Sequence, residues 1–247
     1  MEEKSHRTLD LTGLFPHIQS SMRKLHQKNK GNVAENFNKT GRIAQFLANY
    51  APLSLKPVCD MKLLHLHALP ADMQLPPTAI SIGNFDGVHL GHQAMLQRLK
   101  QRAHADGLKT LVMLFEPQPM EFFRGVEAPP RITSLREKIV LLKEQGIDYV
   151  LIARFDQDFR ALTALQFADL LKHQLNGRAL VLGDDFRFGH DRTGDSEFLR
   201  AFGLPVQILH TVTDHAHQDE RVSSTRIRDC LQHGDLATAK HLLGRDY

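Results

Sequence analysis

The chain has 247 residues, 42% of them hydrophobic, a formal net charge of +3 and only two cysteines. That is enough for one sizeable α/β domain or two small ones. The slight basic excess does not call for nucleic acid or a membrane surface and suits small anionic substrates equally well. Cys59 and Cys230 make neither a disulfide framework nor a paired zinc spacing, no secretory signal opens the chain, and no apolar run reaches membrane-spanning length. A cytoplasmic setting with small-molecule partners is expected, and the oligomeric state is left open.

Residues 1–60 differ in character from the rest. Lysines and asparagines, among them Lys24, Lys28, Asn32 and Lys39, are scattered between apolar residues, and Pro52 and Pro57 break the chain before Met61. Short amphipathic helices are expected around 15–27 and 40–50, where Ile43, Phe46 and Leu47 share a face. The segment reads as a poorly ordered or partly helical extension, or as a helical arm contacting the body or a partner. Met61 also suits a start residue, which makes an upstream stretch of non-native sequence an open reading.

From 61 onward the pattern is regular. Strands are expected at Lys62–His67 and Thr78–Ile82, then a helix at Leu90–Ala105 with Ala94, Leu96 and Leu99 facing inward. Leu111–Phe115 reads as the next strand. Ser134 with Glu137 forms a capping box for a helix to Lys143, which Gly146 ends before a strand at Tyr149–Ile152. Thr163 with Gln166 repeats the box ahead of a helix at Phe167–Leu175. Ala179–Leu182 and Val206–Leu209 are further strands, and Ser224–Leu231 and Leu236–Leu243 two closing helices, the second capped by Asp235. Strands alternating with helices predict an α/β fold with a mainly parallel sheet covered on both faces.

The chemistry gathers where the strand 78–82 ends, in Gly83-Asn84-Phe85-Asp86-Gly87-Val88-His89-Leu90-Gly91-His92. Gly87 permits a tight turn, and Gly91 lets a ligand or a neighbouring backbone approach the helix. The free N–H groups of the first helical turn can receive an anion. His89 and His92 lie one turn apart and face the same way, so two imidazoles can contact phosphates and, if protonated, neutralise developing charge. No Lys-Ser or Lys-Thr follows the glycines, as a Walker loop requires, and the spacing is not the dinucleotide fingerprint. Metal ligation by the pair is the weaker reading, since no H-E-x-x-H arrangement is present.

This run resembles the nucleotide-binding element of the nucleotidyltransferase superfamily. It is more closely similar to the FAD synthetase (FMN adenylyltransferase) module of bacterial bifunctional riboflavin kinase/FAD synthetases. Four later segments match that family in order: 115–123 (Phe-Glu-Pro-Gln-Pro-Met-Glu-Phe-Phe), 155–163, 183–195 (opening Gly-Asp-Asp-Phe-Arg-Phe-Gly) and 222–228 (Val-Ser-Ser-Thr-Arg-Ile-Arg). The resemblance covers residues 61–247 and implies a Rossmann-like nucleotidyltransferase fold. It also implies transfer of AMP from ATP to FMN, giving FAD and pyrophosphate, with Mg2+ bridging ATP phosphates and no all-protein metal site.

Residue by residue, the ATP site is expected at Gly83, Phe85, Asp86, Gly87, His89, Gly91, His92, Ser223, Ser224, Thr225 and Arg226. Three hydroxyls at a helix start can surround triphosphate oxygens, and Arg226 and Arg228 offer donor forks that match phosphate. His89, His92 and Arg226 are the catalytic candidates. The flavin site is expected at Phe115, Pro117, Phe123, Asp156, Asp185, Phe186, Arg187 and Phe188. There the two prolines hold an extended loop, and the phenylalanines offer a broad apolar surface. Asp185 can take a flavin or ribose donor or support a magnesium shell, and Arg187 can bind phosphate or pair with an acidic neighbour. A nucleotidyltransferase with another phosphorylated acceptor, or a non-catalytic flavin- or nucleotide-binding regulator, would share part of this pattern. Leu242-Leu243-Gly244-Arg245-Asp246-Tyr247 resembles the junction to the family's kinase module, with Asp246 where proline is typical. Riboflavin kinase activity is therefore not expected of this polypeptide.

Overall fold

The computed structural model describes residues 60–70, 72–210, 213–214 and 220–247. The expectations for 1–59, including the two amphipathic helices, lie outside the described residues. Six strands form one parallel sheet: β1 (Lys62–His65), β2 (Thr78–Ile82), β3 (Lys109–Glu116), β4 (Tyr149–Arg154), β5 (Gly177–Gly183) and β6 (Val206–Leu209). Their order is β1-β4-β3-β2-β5-β6, so the winding reverses between β2 and β5. In open α/β sheets ligands bind outside the carboxyl ends of the strands at such a reversal.

The strands are almost continuously apolar because both faces are covered. Alternate residues feed two cores. Ile80, Ile82, Leu111, Met113, Leu151, Leu180 and Leu182 pack with Phe167, Leu171 and Leu199 on one face. Ala79, Val112, Leu114, Val150 and Val181 pack with Leu96, Leu99 and Leu142 on the other. The helix α1 (Leu90–Asp106) thus turns Leu96, Leu99 and Ala103 inward; Ala94, expected there, is only half-buried.

Both capping boxes are present. Ser134 and Glu137 start α3 (Leu135–Glu144), and Thr163 and Gln166 start α5 (Ala164–Asp169), which widens into a π-turn at Leu170–Gln174. Three short helices were not anticipated: α2 (Pro119–Arg124), α4 (Gln157–Arg160) and α6 (Ser196–Ala201). The first corrects the expected extended loop. Gln118 is extended, and the helix starts directly after it, because Pro119 occupies the first helical position and Glu121 closes a capping box on Gln118. The strand β1 stops at His65, and Leu66–Ala68 form a single 3-10 turn. A two-stranded antiparallel ribbon, β7 (Thr213–Asp214) with β8 (Glu220–Arg221), precedes α7 (Ser224–Gln232) and α8 (Leu236–Leu243). These two helices pack around Ile227, Cys230, Ala239, Leu242 and Leu243, with Ile132 and Val222 completing the cluster. Among the described residues no helix is long and apolar enough to cross a membrane.

Candidate active site

The chain leaves β2 through a turn held in left-handed backbone: Phe85 (φ 48°), Gly87 (φ 80°) and Val88 (φ 39°). For a β-branched residue such as Val88 that conformation is costly, and packing must hold it. Phe85 and Val88 are each 1% exposed. The Arg245 guanidinium donates to the Gly87 carbonyl at 2.7 Å, and the Gln93 amide to the Val88 carbonyl at 3.0 Å. Gly87 itself packs against Ile132 and Leu243 and donates to Thr133 Oγ1, so its role is in the turn.

The turn delivers His89 as the N-cap of α1, its Nδ1 accepting from the His92 N–H at 3.4 Å. With Nδ1 an acceptor, the ring proton sits on Nε2. The two imidazoles stack, centroids 3.7 Å apart. Burial pulls His89 down to about 4, aided by Arg221, Arg228 and Arg245 and only partly opposed by Asp86. Burial, then His89 and Lys138, hold His92 well below its ordinary value. Both rings are therefore neutral donors near pH 7, so the protonated case that the sequence left open is not the resting state. The buried His92 Nδ1 has no hydrogen-bond partner.

Gly91 joins this helix start to the last motif. A Cβ there would lie 3.1 Å from the His89 ring and 3.4 Å from the Val222 carbonyl oxygen. Beyond Val222, Ser223 caps α7 by accepting from the Arg226 N–H, and Ser224 Oγ donates to the Asp86 carbonyl at 3.0 Å. Asp86 is 2% exposed. Its carboxylate accepts from the N–H groups of Ile132 and Thr133, from Thr133 Oγ1, and from Arg228 at 2.7 Å. Asp86 thus ties three segments together, and its carboxylate is taken up by protein donors.

A cavity of about 640 Å³ opens above β2 and β5. Gly83, Phe85, Asp86, His89, Gly91, His92, Ser223, Ser224 and Thr225 line it, so the first motif and the hydroxyl-rich helix start meet in one place. Arg226 does not line it; Arg228, two positions on, does. Asn84, Met95, Gln118, Glu121, Arg192 and Arg221 also line it and were not singled out as site residues from sequence. Asn84, Gln118 and Glu121 stand inside the matched motifs, and Arg221 directly precedes one.

A second cavity of about 490 Å³ adjoins the first, sharing Phe115, Pro119, Phe186, Arg187 and Arg192 with it. Among the described residues seven phenylalanines line it: Phe115, Phe123, Phe155, Phe159, Phe167, Phe186 and Phe188. Such a wall suits a flat conjugated ring. Asp185 lines the first cavity and pairs with Arg221 at 3.5 Å. Pro117 and Asp156 line neither. Pro117 follows a cis peptide bond to Glu116, and Asp156 caps α4 by accepting from the Phe159 N–H. Glu116 and Glu121 both grip Arg131, which anchors the start of α2 beside the cavities. The Arg131 hydrogen bond holds the Glu121 carboxyl below the usual carboxylate range.

Residues 71–226 match the FAD synthetase family. Over 170 residues the chain is 47% identical to the bifunctional riboflavin kinase/FMN adenylyltransferase of Escherichia coli strain K12, covering 68% of this chain and 54% of that protein. The protein of the same description from Haemophilus influenzae is 42% identical over 182 residues, 72% of this chain and 58% of that one. The chain thus spans about half the length of the curated relatives it matches. Among solved structures, a macrolide-efflux protein from Streptococcus pneumoniae superposes with a TM-score of 0.66 at 26% identity, covering 75% of this chain and 62% of that one. The parallel sheet, the ordered motifs and the sequence match agree: the chain belongs to the FAD synthetase family.

Proposed function

We propose that this chain transfers AMP from ATP to FMN, giving FAD and pyrophosphate. The observation that carries the reading is the meeting of the paired histidines with Ser223–Thr225 around one cavity that runs into an aromatic one. The α1 start and the hydroxyls of α7 would hold the triphosphate, and the phenylalanine wall would hold the flavin ring. An FMN phosphate oxygen bonds to the α-phosphorus, the bond from that phosphorus to the bridging oxygen breaks, and pyrophosphate leaves with the electron pair. FMN is already a nucleophile at neutral pH, so the protein's task is alignment and charge neutralisation.

In this reading the neutral His89 and His92 donate hydrogen bonds to the reacting phosphates, and an arriving anion draws their pKa values upward. Arg228 stands where Arg226 was expected, at the cavity wall. Among the described residues no cluster of three or more His, Cys, Asp or Glu side chains is placed to hold a metal. Magnesium brought in with ATP would lower the charge on the departing pyrophosphate. A cytoplasmic setting belongs to the same proposal. Incubating the chain with FMN, ATP and magnesium and weighing the products tests it. FAD and pyrophosphate in equal amounts are expected; flavin binding without pyrophosphate release would leave only a binding protein.

A further inference from the structure

Resting on that reading, we propose that Arg192 receives the terminal phosphate of the flavin and so selects a phosphorylated acceptor over an unphosphorylated one. An acceptor whose ring lies in the phenylalanine-lined cavity must pass its phosphate into the triphosphate cavity. Among the described residues only Phe115, Pro119, Phe186, Arg187 and Arg192 line both, so two guanidiniums stand at the crossing. That of Arg187 is engaged, at 3.5 Å from Asp195 and 3.5 Å from the Phe186 carbonyl oxygen. That of Arg192 makes no hydrogen bond or ion pair with any described residue.

The backbone presents Arg192 at a set place. Phe188 and Gly194 pair in both directions, at 3.0 and 2.8 Å, and close the loop between them. A Cβ on Gly194 would fall 2.4 Å from the Phe188 ring, so that closure lies flat on the aromatic wall. The His190 N–H donates to the Leu162 carbonyl at 2.7 Å and fixes the other side. Gly189, Asp191 and Arg192 are all left-handed (φ 74°, 55° and 58°), a conformation L-residues avoid unless held. The surrounding charge leaves room for an anion. Of the carboxylates lining the two cavities, Asp86, Glu121, Asp185 and Asp191 already face Arg228, Arg131, Arg221 and His190. Among the described residues only Asp184 of that set lacks an ion pair.

The test titrates the full chain with FMN and with riboflavin, following flavin fluorescence, and measures the KM for ATP, for the unsubstituted protein, Arg192→Gln and Arg192→Lys. A lost charge-assisted contact predicts that Arg192→Gln weakens FMN about ten-fold or more while riboflavin affinity and the ATP KM stay within about two-fold. Unchanged riboflavin binding also certifies the fold, and Arg192→Lys should recover part of the FMN preference. An unchanged FMN-to-riboflavin ratio in Arg192→Gln, an equal loss for both flavins, or a loss confined to ATP would each overturn the assignment. If the unsubstituted chain binds FMN, these outcomes leave the function reading intact; if it binds neither flavin, both readings fall.

Discussion

Arg228→Ala tests whether this side chain is part of the scaffold. Its guanidinium lies 2.7 Å from the Asp86 carboxylate, with the side chains 20% and 2% exposed respectively. Removing one partner of a fully buried pair costs about 3–5 kcal/mol, because the remaining charge is left uncompensated. Here Asp86 keeps the Ile132 and Thr133 donors, and Arg228 is partly solvated, so about 2–3 kcal/mol is expected. For a domain of this size that lowers the melting temperature by roughly 5–10 °C. Thermal denaturation of Arg228→Ala, Asp86→Asn and the double variant checks the figure, and the cycle should return a coupling of at least about 1 kcal/mol. A coupling near zero, with Arg228→Ala folding as stably as the parent but failing to use ATP, would refute the scaffold role and make Arg228 a substrate ligand alone.

His92→Ala should lower kcat far more than it weakens flavin binding; equal turnover at saturating substrates would remove the ring from the chemistry. His89 is depressed from 6.5 to about 4, so the unfolded chain takes up its proton first on acidification. Its contribution is intact above pH 6.5 and is lost as pH falls toward 4, on the order of 3 kcal/mol; denaturation midpoints across that range should fall less steeply for His89→Asn than for the parent. Gly91→Ala gains helix propensity of up to about 1 kcal/mol but sets a methyl 3.1 Å from the His89 ring and 3.4 Å from the Val222 carbonyl oxygen. It should fold well and lose about ten-fold in kcat, and unimpaired turnover would show that the spacing of the two motifs is not critical.

Much of the fold is legible because its signals are local. The strand Thr78–Ile82, the boxes Ser134/Glu137 and Thr163/Gln166, and the Asp235 cap each rest on residues within one turn of each other, and each is found in place. The short helices α2, α4 and α6 escape because four to six residues hold too little periodicity to read. For α2 the signal was nevertheless present, in Pro119 at the first turn and Glu121 three positions after Gln118.

The order of motifs along the chain determined the family, the parallel sheet and the two ends of the phosphate site. Folding decided which side chains face that site. Arg226 and Arg228 are two positions apart on one helix, about 200° around its axis, so alike residues point to different surroundings and only Arg228 reaches the cavity. Asp86 looks like a ligand in the motif, yet chain from 132–133 and 228 arrives to consume its oxygens. The histidines' charge was likewise decided by tertiary contact, since burial and three arginines distant in sequence set the field around His89. Such long-range packing and electrostatics depend on where remote segments come to rest, which no local pattern records.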